Sequence, residues 1–342
     1  MPLDLPFTWS DDCLRHEPGG EVWVGVRTPG TELPARAETI RTALETAGAR
    51  QVDAEPHADD ALLAVHDSAL VDFLREIWAE WAEADLPSDR VVPYVFAHRE
   101  LTRSPAVPNA VWARPGYFAY DTMTLVGPGT WEAARAAVDV ALTAVDLVEG
   151  GEPLAYACCR PPGHHALRSA FGGSCYLNNT AVAAEELRRR LGGPVAVVDI
   201  DAHHGNGTQE LFAGRDDVRT ASAHVDPGAG WFPHFLGFAA ESDASNLNLP
   251  LPPKTGDDAW LAAVREAAGF AAGARALVVA LGVDAAAADP ESPLEVTADG
   301  YREAGRILGG LGLPTVVVQE GGYDLARLGS LVVATLEGLE AA

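Results

Sequence analysis

Short apolar runs rich in β-branched residues alternate with longer amphipathic stretches along most of the chain. This alternation is typical of βα units that wind around a mostly parallel sheet. The sequence therefore predicts an α/β fold with a mostly parallel central sheet flanked by helices. The predicted strands cover residues 155–159, 195–200, 218–223, 276–281 and 315–319. The predicted helices cover residues 35–47, 68–83, 130–148, 178–191, 258–272, 298–308 and 325–339.

The length of the chain favours one domain. It has 342 residues, with no internal repeat and no composition shift that would mark a second unit. Because α/β sheets often reach this length as one unit, we expect a single domain over residues 1–342. Three long connections rich in Pro and Gly cover residues 19–34, 86–115 and 227–253. Connections of this length in a compact fold usually form functional rims or lids.

The charge balance narrows the classes of partner. The chain has 49 Asp and Glu against 24 Lys and Arg, a formal net charge of −25. Such a surface repels phosphate backbones and anionic lipid head groups, so we expect neither a nucleic-acid nor a membrane partner. The sequence also lacks an apolar run of about 18 residues, which a membrane span would need, and we expect no such span. It lacks a basic start followed by an apolar segment, so we expect no export signal. The four cysteines are too few and too bunched for a disulfide framework, which favours the cytoplasm.

Four of the predicted strands are followed by a polar or glycine-rich cluster. The clusters read Arg-Pro-Pro-Gly-His-His at 160–165, Asp-Ile-Asp-Ala-His-His-Gly-Asn-Gly at 199–207, Gly-Val-Asp at 282–284 and Glu-Gly-Gly-Tyr at 320–323. In an open parallel sheet, ligands bind at the carboxyl ends of the strands. We therefore expect the four clusters to converge on one site.

The second cluster contains residues that suit a metal ion. In an extended chain, Asp199, Asp201 and His203 would share one face, because alternate side chains of a strand point the same way. A catalytic zinc ion takes about three protein ligands and keeps an open position for water. Asp201 and His203 supply two ligands, and Asp284 is the candidate for the third. The alternative for Asp284 is a salt bridge or a helix cap, since an unpaired buried carboxylate costs several kcal/mol.

The first cluster contains a pair of adjacent histidines. His164 and His165 follow a Pro-Pro-Gly turn, and paired imidazoles suit proton transfer from water and to a leaving amine. Asp199 and Asn206 could each hold one ring. A carboxylate raises the basicity of the ring, whereas a neutral amide only orients it. We therefore expect the two histidines to differ in charge.

Tyr323 completes the candidate site. It follows two glycines, which leave its backbone room to bring the phenol over a metal ion. A phenol there would polarise a carbonyl and stabilise an oxyanion by roughly 3–4 kcal/mol. The assembled residues predict metal-assisted hydrolysis of an amide. Four scattered histidines are interpreted as ordinary surface or core residues: His57, His66, His98 and His234.

These motifs resemble a known family. The segments 160–166, 171–179, 199–209 and 320–323 resemble the zinc-dependent histone deacetylase superfamily, and the chain is most similar to its bacterial acetylpolyamine amidohydrolases. The similarity runs nearly from end to end. It implies an arginase/deacetylase fold. It also implies an enzyme that uses zinc-activated water to remove acetyl or larger acyl groups from small amines such as acetylpolyamines.

The resemblance also implies two bound ions. One zinc ion per chain would be bound by Asp201, His203 and Asp284. A structural potassium ion would be bound by Asp199, the backbone of Asp201 and His203, Ser222 and the carbonyl of Ala223. A monovalent cation beside Asp199 would partly offset its negative charge and so moderate the pKa of the histidine.

The roles of the site residues follow from the same resemblance. His165 is expected to be the general base and acid, and His164 is expected to be its electrostatic partner, held by Asp199. Tyr323 would bind the acetyl carbonyl. Arg36 matches an arginine near the acetate exit.

Substrate residues match the family less closely. The carbonyl of Gly173 is expected to accept the amide proton, and Phe232 to form a wall of the acyl tunnel. Ser174 stands where the family usually has an aromatic residue, so the tunnel should be wider on that side. Glu17 retains a carboxylate at the mouth. Trp112 replaces a second acidic residue there, and its indole could still hold a cationic amine through its π face, worth about 0.5–2 kcal/mol.

Several alternatives remain. Protein acyl-lysine ranks after small acylated amines as a substrate class, because the connection 19–34 would narrow the mouth of the tunnel. In the polyamine branch that connection also builds a homodimer, which we expect here. An arginase-like binuclear manganese hydrolase would need a further carboxylate where this chain has His204-Gly-Asn206. A protein that binds an acyl-amine without catalysis is the third alternative, although every catalytic position is filled.

Overall fold

The structure is a computed structural model that describes residues 2–98, 100 and 105–342. The strands are β1 (Pro6–Trp9), β2 (Glu21–Trp23), β3 (Val26–Thr28), β4 (Arg50–Asp53), β5 (Leu154–Ala157), β6 (Val195–Asp199), β7 (Val218–Val225), β8 (Asn246–Leu251), β9 (Ala276–Leu281) and β10 (Thr315–Gln319). The helices are α1 (Pro34–Ala47), α2 (Asp60–Val65), α3 (Ser68–Glu83), α4 (Pro115–Phe118), α5 (Thr130–Glu149), α6 (Asn179–Leu191), α7 (Asn206–Phe212), α8 (Asp257–Phe270), α9 (Ala298–Gly309) and α10 (Leu328–Glu340).

Within these described ranges, eight strands form one parallel sheet in the order β4-β1-β5-β10-β9-β6-β7-β8. The strands β2 and β3 form a separate antiparallel hairpin. The predicted α/β fold with helices around a parallel sheet is confirmed. The order also puts β5, β10, β9 and β6 side by side, so the four polar clusters that follow them meet at one edge of the sheet.

Both faces of the sheet are covered by helices. Successive residues of β6 alternate between two apolar layers: Val195 and Val197 pack on one side, and Ala196 and Val198 on the other. The helices α1, α8, α9 and α10 cover the second side, and α3, α5 and α6 cover the first. A strand buried on both faces reads as a continuous apolar run rather than as an alternating one. This explains why these central strands were predictable.

Each of the five predicted strands is present, and two of them have the predicted bounds. Of the strands that the sequence pattern missed, β2 and β3 form the separate hairpin, and β1, β4 and β8 lie at or near the margins of the large sheet. β4 at one edge is largely polar, with residues 50–53 reading Arg-Gln-Val-Asp. β8 at the other edge contains Pro250, and a proline is tolerated in a strand mainly at an edge. The missed β1 has only four residues.

The seven predicted helices are also present, with ends that differ by up to three residues. The largest difference is at α10, which begins at Leu328 rather than at residue 325. The short helices α2, α4 and α7 were not predicted, because four to seven residues do not show a helical period. Among the described residues, none of the helices has both the length and the apolar character needed to cross a membrane.

His57 joins the segment after β4 to helix α5. Its Nδ1 lies 3.3 Å from Oδ1 of Asp139, and its Nε2 lies 2.9 Å from Oδ2 of Asp146. The hydrogen bond to Asp139, together with that to Asp146, raises the pKa of His57 against the effect of burial. The protonated imidazole is therefore favoured in the folded chain, and its bonds contribute to stability while it stays protonated.

We expect His57→Gln to lower the free energy of unfolding by about 1 kcal/mol near pH 5.5, and by less near pH 9. A histidine whose pKa is raised by folding stabilises the protein fully below its unfolded pKa of about 6.5. That contribution is lost as the pH rises through the folded pKa. Urea unfolding at both pH values measures it. The control is Thr143→Val on the same helix, α5, where the Thr143 hydroxyl accepts an uncharged hydrogen bond from the Glu55 backbone N–H. This variant should lower the free energy of unfolding by the same amount at both pH values. A pH-independent loss for His57→Gln would contradict the assignment.

Candidate active site

The three predicted metal ligands lie together at the carboxyl edge of the sheet. Ligand atoms of Asp201, His203 and Asp284 are all within 4.8 Å of one another. Nδ1 of His203 is 3.2 Å from Oδ1 of Asp201 and 3.0 Å from Oδ2 of Asp284. Both aspartates are fully buried. The prediction that the clusters after β6 and β9 converge is therefore confirmed.

The local reason given for that convergence was wrong. β6 ends at Asp199, so Asp201 and His203 lie in the bend beyond the strand and not in extended geometry. Backbone donors turn the carboxylates inward instead. Oδ1 of Asp201 accepts from the His203 N–H (2.8 Å), and its Oδ2 accepts from the Gly321 N–H (2.7 Å). Oδ1 of Asp284 accepts from the N–H of Ala202 (2.8 Å).

Two glycines make room for these carboxylates. A Cβ atom on Gly282 would lie 2.0 Å from Oδ2 of Asp201. A Cβ atom on Gly321 would lie 2.4 Å from Oδ2 of Asp284 and 2.5 Å from Oδ2 of Asp201. The sequence reasoning assigned Gly321 and Gly322 to the freedom of the tyrosine backbone. Gly322, with φ of 122°, fits that role, whereas Gly321 is required by the aspartates.

The donor set of this cluster fits a divalent metal. Burial and the neighbouring charge of Asp201 raise the pKa of Asp284 to about 7, because two carboxylates face each other in a dry site. A cation between them would relieve that repulsion. One imidazole nitrogen and two carboxylate oxygens are ligands that Zn²⁺ takes, and they leave a coordination position open.

A second group of close ligand atoms does not fit a metal. His164, Cys175 and Glu320 are all buried and lie within the same distance limit of 4.8 Å. Both oxygens of Glu320 already accept hydrogen bonds, from the N–H groups of Gly163 (2.6 Å) and His164 (3.0 Å) and from the hydroxyl of Thr180 (2.6 Å). Burial raises the pKa of the Cys175 thiol, which stays protonated. Glu320 thus joins the tyrosine loop to the histidine loop, a role that the sequence reasoning missed.

The paired histidines have the partners that were predicted. Nδ1 of His164 lies 2.9 Å from Oδ2 of Asp199, and Nδ1 of His165 lies 2.6 Å from Oδ1 of Asn206. The ring centroids are 4.0 Å apart. Burial lowers the pKa of His164, but Asp201 and Asp199 outweigh it and raise this pKa to about 10.

The second ring has the opposite electrostatics. Burial, together with the charges of His164 and His203, lowers the pKa of His165. His164 is therefore cationic and His165 neutral, in agreement with the expected difference in charge. Because the amide oxygen of Asn206 accepts from Nδ1–H of His165, Nε2 of this ring keeps its lone pair and can accept a proton.

Tyr323 lies beside the metal-ligand cluster. Its backbone N–H donates to Oδ2 of Asp289 (2.8 Å), and the guanidinium carbon of Arg36 lies 4.6 Å from the centroid of its ring. Burial raises the pKa of the Tyr323 phenol, so the hydroxyl stays protonated and can donate a hydrogen bond. Arg36 itself is buried behind this loop.

These groups share a cavity of about 690 Å³. Its lining includes His165, His203, Gly173, Ser174, Phe232 and Tyr323. The Phe232 ring meets that of His165 edge to face, with centroids 4.8 Å apart. A Cβ atom on Gly173 would lie 2.4 Å from Cδ2 of His165, and its φ of +59° also favours glycine. The predicted substrate residues of the tunnel therefore lie next to the predicted base.

Other predicted substrate residues lie elsewhere. Among the described residues, the cavity wall does not include Glu17, which is exposed, or Trp112, which is half exposed in the short turn Val111–Ala113. The carboxylates in the wall are those of Glu21 and Glu291. His234, interpreted from the sequence as an ordinary surface or core residue, is exposed and also lines the cavity.

The connection 19–34 forms part of this wall, as its length predicted. It contributes Glu21, Trp23, Val24, Thr28, Pro29 and Thr31. The other acidic residue of the wall, Glu291, follows the Asp-Pro pair at 289–290. Oε1 of Glu291 accepts from the hydroxyl of Thr31 (2.7 Å), which joins the two segments. An acidic residue inside a predicted rim was the available signal for Glu21.

The residues predicted to hold potassium lie on two neighbouring strands. Asp199 of β6 stands opposite Ser222 of β7, and Ala223 is next along that strand. Oγ of Ser222 lies 2.8 Å from Nδ1 of His224. The second oxygen of Asp199 accepts from the N–H of Asp201 (3.0 Å). Potassium binding here stays a prediction.

Comparison with known proteins agrees with this geometry. Residues 31–339 match the model of the histone deacetylase domain. The chain belongs to the histone deacetylase family. It is 39% identical over 344 residues to acetylpolyamine amidohydrolase 1 of Pseudomonas aeruginosa, covering 98% of both chains. It is 37% identical to the acetylpolyamine amidohydrolase of Mycoplana ramosa, covering 97% of this chain and 98% of the relative.

A solved structure shows the same likeness. The crystal structure of acetylpolyamine aminohydrolase from Burkholderia pseudomallei superposes with a TM-score of 0.93 and 36% sequence identity, covering 99% of each chain. This likeness covers the whole sheet and the loops at its carboxyl edge.

For this member of the histone deacetylase family, we expect Asp284→Asn to weaken zinc binding by about a hundredfold or more, because an anionic ligand is replaced by a neutral amide. Competition with a chromophoric chelator measures the affinity. Asp289→Asn is the matched control, since Asp289 is a nearby buried carboxylate that bonds to the backbone of Tyr323 and is not part of the cluster. Unchanged zinc affinity in Asp284→Asn would exclude this carboxylate as a ligand.

Proposed function

We propose that this chain is a zinc-dependent amidohydrolase that removes acetyl, or a larger acyl group, from small amines, with acetylated polyamines as the first substrate class. One observation carries the proposal: His203 of the metal-ligand cluster, a neutral histidine and a protonated tyrosine border one cavity whose wall holds two carboxylates. The full-length similarity to acetylpolyamine amidohydrolases supports the same substrate class. We take the catalytic unit to be a single domain over residues 1–342.

The residues of the cluster would hold one zinc ion through Asp201, His203 and Asp284. When bound there, zinc supplies Lewis acidity toward water and toward the amide carbonyl. The protein must then keep these ligands in place, and the N–H groups of Ala202, His203 and Gly321 do so by holding the carboxylate oxygens.

His165 moves the proton in this mechanism. Its Nε2 would take a proton from the attacking water and later give it to the leaving amine, which is the usual task of an imidazole in hydrolysis. Asn206 holds Nδ1 in the protonated form (2.6 Å), so that the opposite nitrogen faces the reaction. His164, kept cationic by Asp201 and Asp199, supplies a fixed positive charge next to the base.

Tyr323 and Gly173 act on the substrate amide. The phenol of Tyr323 donates to the carbonyl oxygen as negative charge develops on it. The Gly173 carbonyl would accept the amide N–H of the substrate. The N–H of Gly173 donates to Oδ2 of Asp121 (2.6 Å), and the N–H of Ser174 donates to Oγ1 of Thr124 (2.8 Å), so this segment is fixed before the substrate binds.

The cavity wall favours a cationic amine. Burial, with added repulsion from Glu291 and Asp121, raises the pKa of Glu21 to about 7. A substrate ammonium between the carboxylates of Glu21 and Glu291 would reverse that penalty and favour the ionised form of Glu21. Trp231 also lines this wall and offers a π face. The net charge of −25 draws cations toward the protein.

Further parts of the proposal concern the assembly and the second ion. We propose that the hairpin β2–β3 contacts a second copy of the chain in a homodimer, since Trp23, Val24 and Val26 expose 62%, 79% and 63% of their surface. A structural potassium ion would lie at Asp199 and Ser222. The four cysteines are buried free thiols, which suits a cytoplasmic location.

We expect Tyr323→Phe to lower kcat by roughly two to three powers of ten on an acetylated amine while zinc stays bound, because the oxyanion loses its protein donor. Steady-state kinetics and metal analysis of the purified variant measure both effects. Tyr94→Phe removes an exposed phenol outside the cavity wall and should leave kcat unchanged. Full activity of Tyr323→Phe would refute the role of the phenol.

Substrate class is tested on a matched set: acetylputrescine, acetylspermidine, an acetyl-lysine peptide and longer acyl forms of each. We expect kcat/KM to be highest for the acetylated polyamines. Glu291→Gln should raise KM for these cations about tenfold, because one charge contact in a partly buried site is lost. The same variant should not change KM for the peptide. Glu295→Gln, an exposed carboxylate outside the cavity wall, is the control. A peptide cleaved faster than every polyamine would instead favour protein acyl-lysine as the substrate.

A further inference from the structure

Glu32 lies buried between two arginines. Its Oε1 accepts from NH1 of Arg36 and from Nε of Arg160, each at 2.9 Å. The three side chains are only 1–2% exposed. The other oxygen, Oε2, has no hydrogen-bond partner among the described residues, and Nε2 of His16 is 3.8 Å away. A single carboxylate oxygen thus joins two buried cations.

The first arginine reaches the loop that carries the tyrosine. Nε of Arg36 donates to the carbonyl of Gly322, and NH2 donates to the carbonyl of Glu320, both at 2.6 Å. Its guanidinium carbon lies 4.6 Å from the centroid of the Tyr323 ring. All three nitrogens of Arg36 are therefore engaged, two with the tyrosine loop and one with Glu32.

The second arginine stands at the start of the loop that carries the histidines. NH1 of Arg160 donates to the carbonyl of Cys13 (2.8 Å), and NH2 donates to the carbonyl of His16 (2.7 Å). Arg160 is five residues before His165 in the sequence. Because Glu32 bonds to both arginines, it connects the tyrosine loop to the start of the histidine loop through side chains that do not line the cavity.

We propose that Glu32 is a positioning residue that acts through Arg36 to hold the phenol of Tyr323 over the substrate carbonyl; this inference rests on the proposed function. Without the carboxylate, two buried guanidinium groups lose their shared counter-charge, and Arg36 loses the contact that fixes its direction. The carbonyls of Glu320 and Gly322 are then held less firmly. A displacement of about 1 Å at a catalytic group can cost about a hundredfold in rate.

The kinetic test is a double-mutant cycle. We expect Glu32→Gln to lower kcat about ten- to a hundredfold in the wild-type background, with KM and bound zinc within about twofold. In the Tyr323→Phe background, the same change should lower kcat by less than about twofold, because residues that act through one group are not additive. Equal losses in both backgrounds, or no loss in the wild type, would overturn the inference.

A matched control separates this role from general stability. Glu186 is another buried carboxylate between two arginines: it accepts from Nε of Arg189 (2.9 Å) and Nε of Arg190 (2.6 Å) on α6. Glu186→Gln should leave kcat unchanged even where it lowers thermal stability. A loss of kcat equal to that of Glu32→Gln would overturn the inference.

Hydrogen exchange supplies a readout that does not depend on turnover. The amides of residues 320–324 should exchange faster in Glu32→Gln than in the wild type, and at the wild-type rate in Glu186→Gln. If the wild type cleaves no acylated amine, the proposed function fails. The exchange measurement still decides whether Glu32 holds the loop at residues 320–324. Glu32→Asp replaces Glu32→Gln if the latter does not fold. Failure of both variants to fold, or unchanged exchange at 320–324, would overturn the inference.

Discussion

The site depends on the burial of two carboxylates side by side at the end of a parallel sheet. Asp201 and Asp284 are both fully buried, and water cannot solvate their charge. Three backbone N–H groups and the imidazole of His203 are directed at their oxygens, and two glycines leave the space that these oxygens occupy. The negative charge of such a pair has to be offset, and a bound cation would do so. The loops at this edge are shaped around that requirement.

The remaining machinery is connected to this pair through a chain of buried polar contacts. Glu320 holds the N–H groups of the histidine loop, and Asp289 holds the N–H group of Tyr323. Asp201 and Asp199 keep His164 protonated, whereas burial, together with the charges of His164 and His203, keeps His165 neutral. The protonation states of His165 and Tyr323 therefore follow from burial and from neighbouring charges.

The sequence predicted the central part of the fold well because that part obeys local rules. Strands such as β9 are buried on both faces, so they appear as plain apolar runs followed by the polar residue that the site needs. The sequence predicted less of the site, where contacts between distant parts of the chain determine which residues meet. Nothing local indicates that Gly282 faces the oxygen of Asp201, that Glu320 reaches the histidine loop, or that Glu291 rather than Trp112 borders the cavity. The strand-end geometry assumed for Asp201 failed because β6 stops two residues earlier.

Structurally separate parts of the chain line the cavity. The predicted metal ligands and the paired histidines follow strands of the large parallel sheet, whereas Glu21 and Trp23 belong to the hairpin β2–β3, which in the described ranges is a two-stranded unit of its own. Exchanging residues of that hairpin alters the entrance without disturbing the hydrogen bonds beneath it. Substitutions in the hairpin can therefore change which amine enters the cavity during evolution, while the residues at the carboxyl edge of the sheet stay the same.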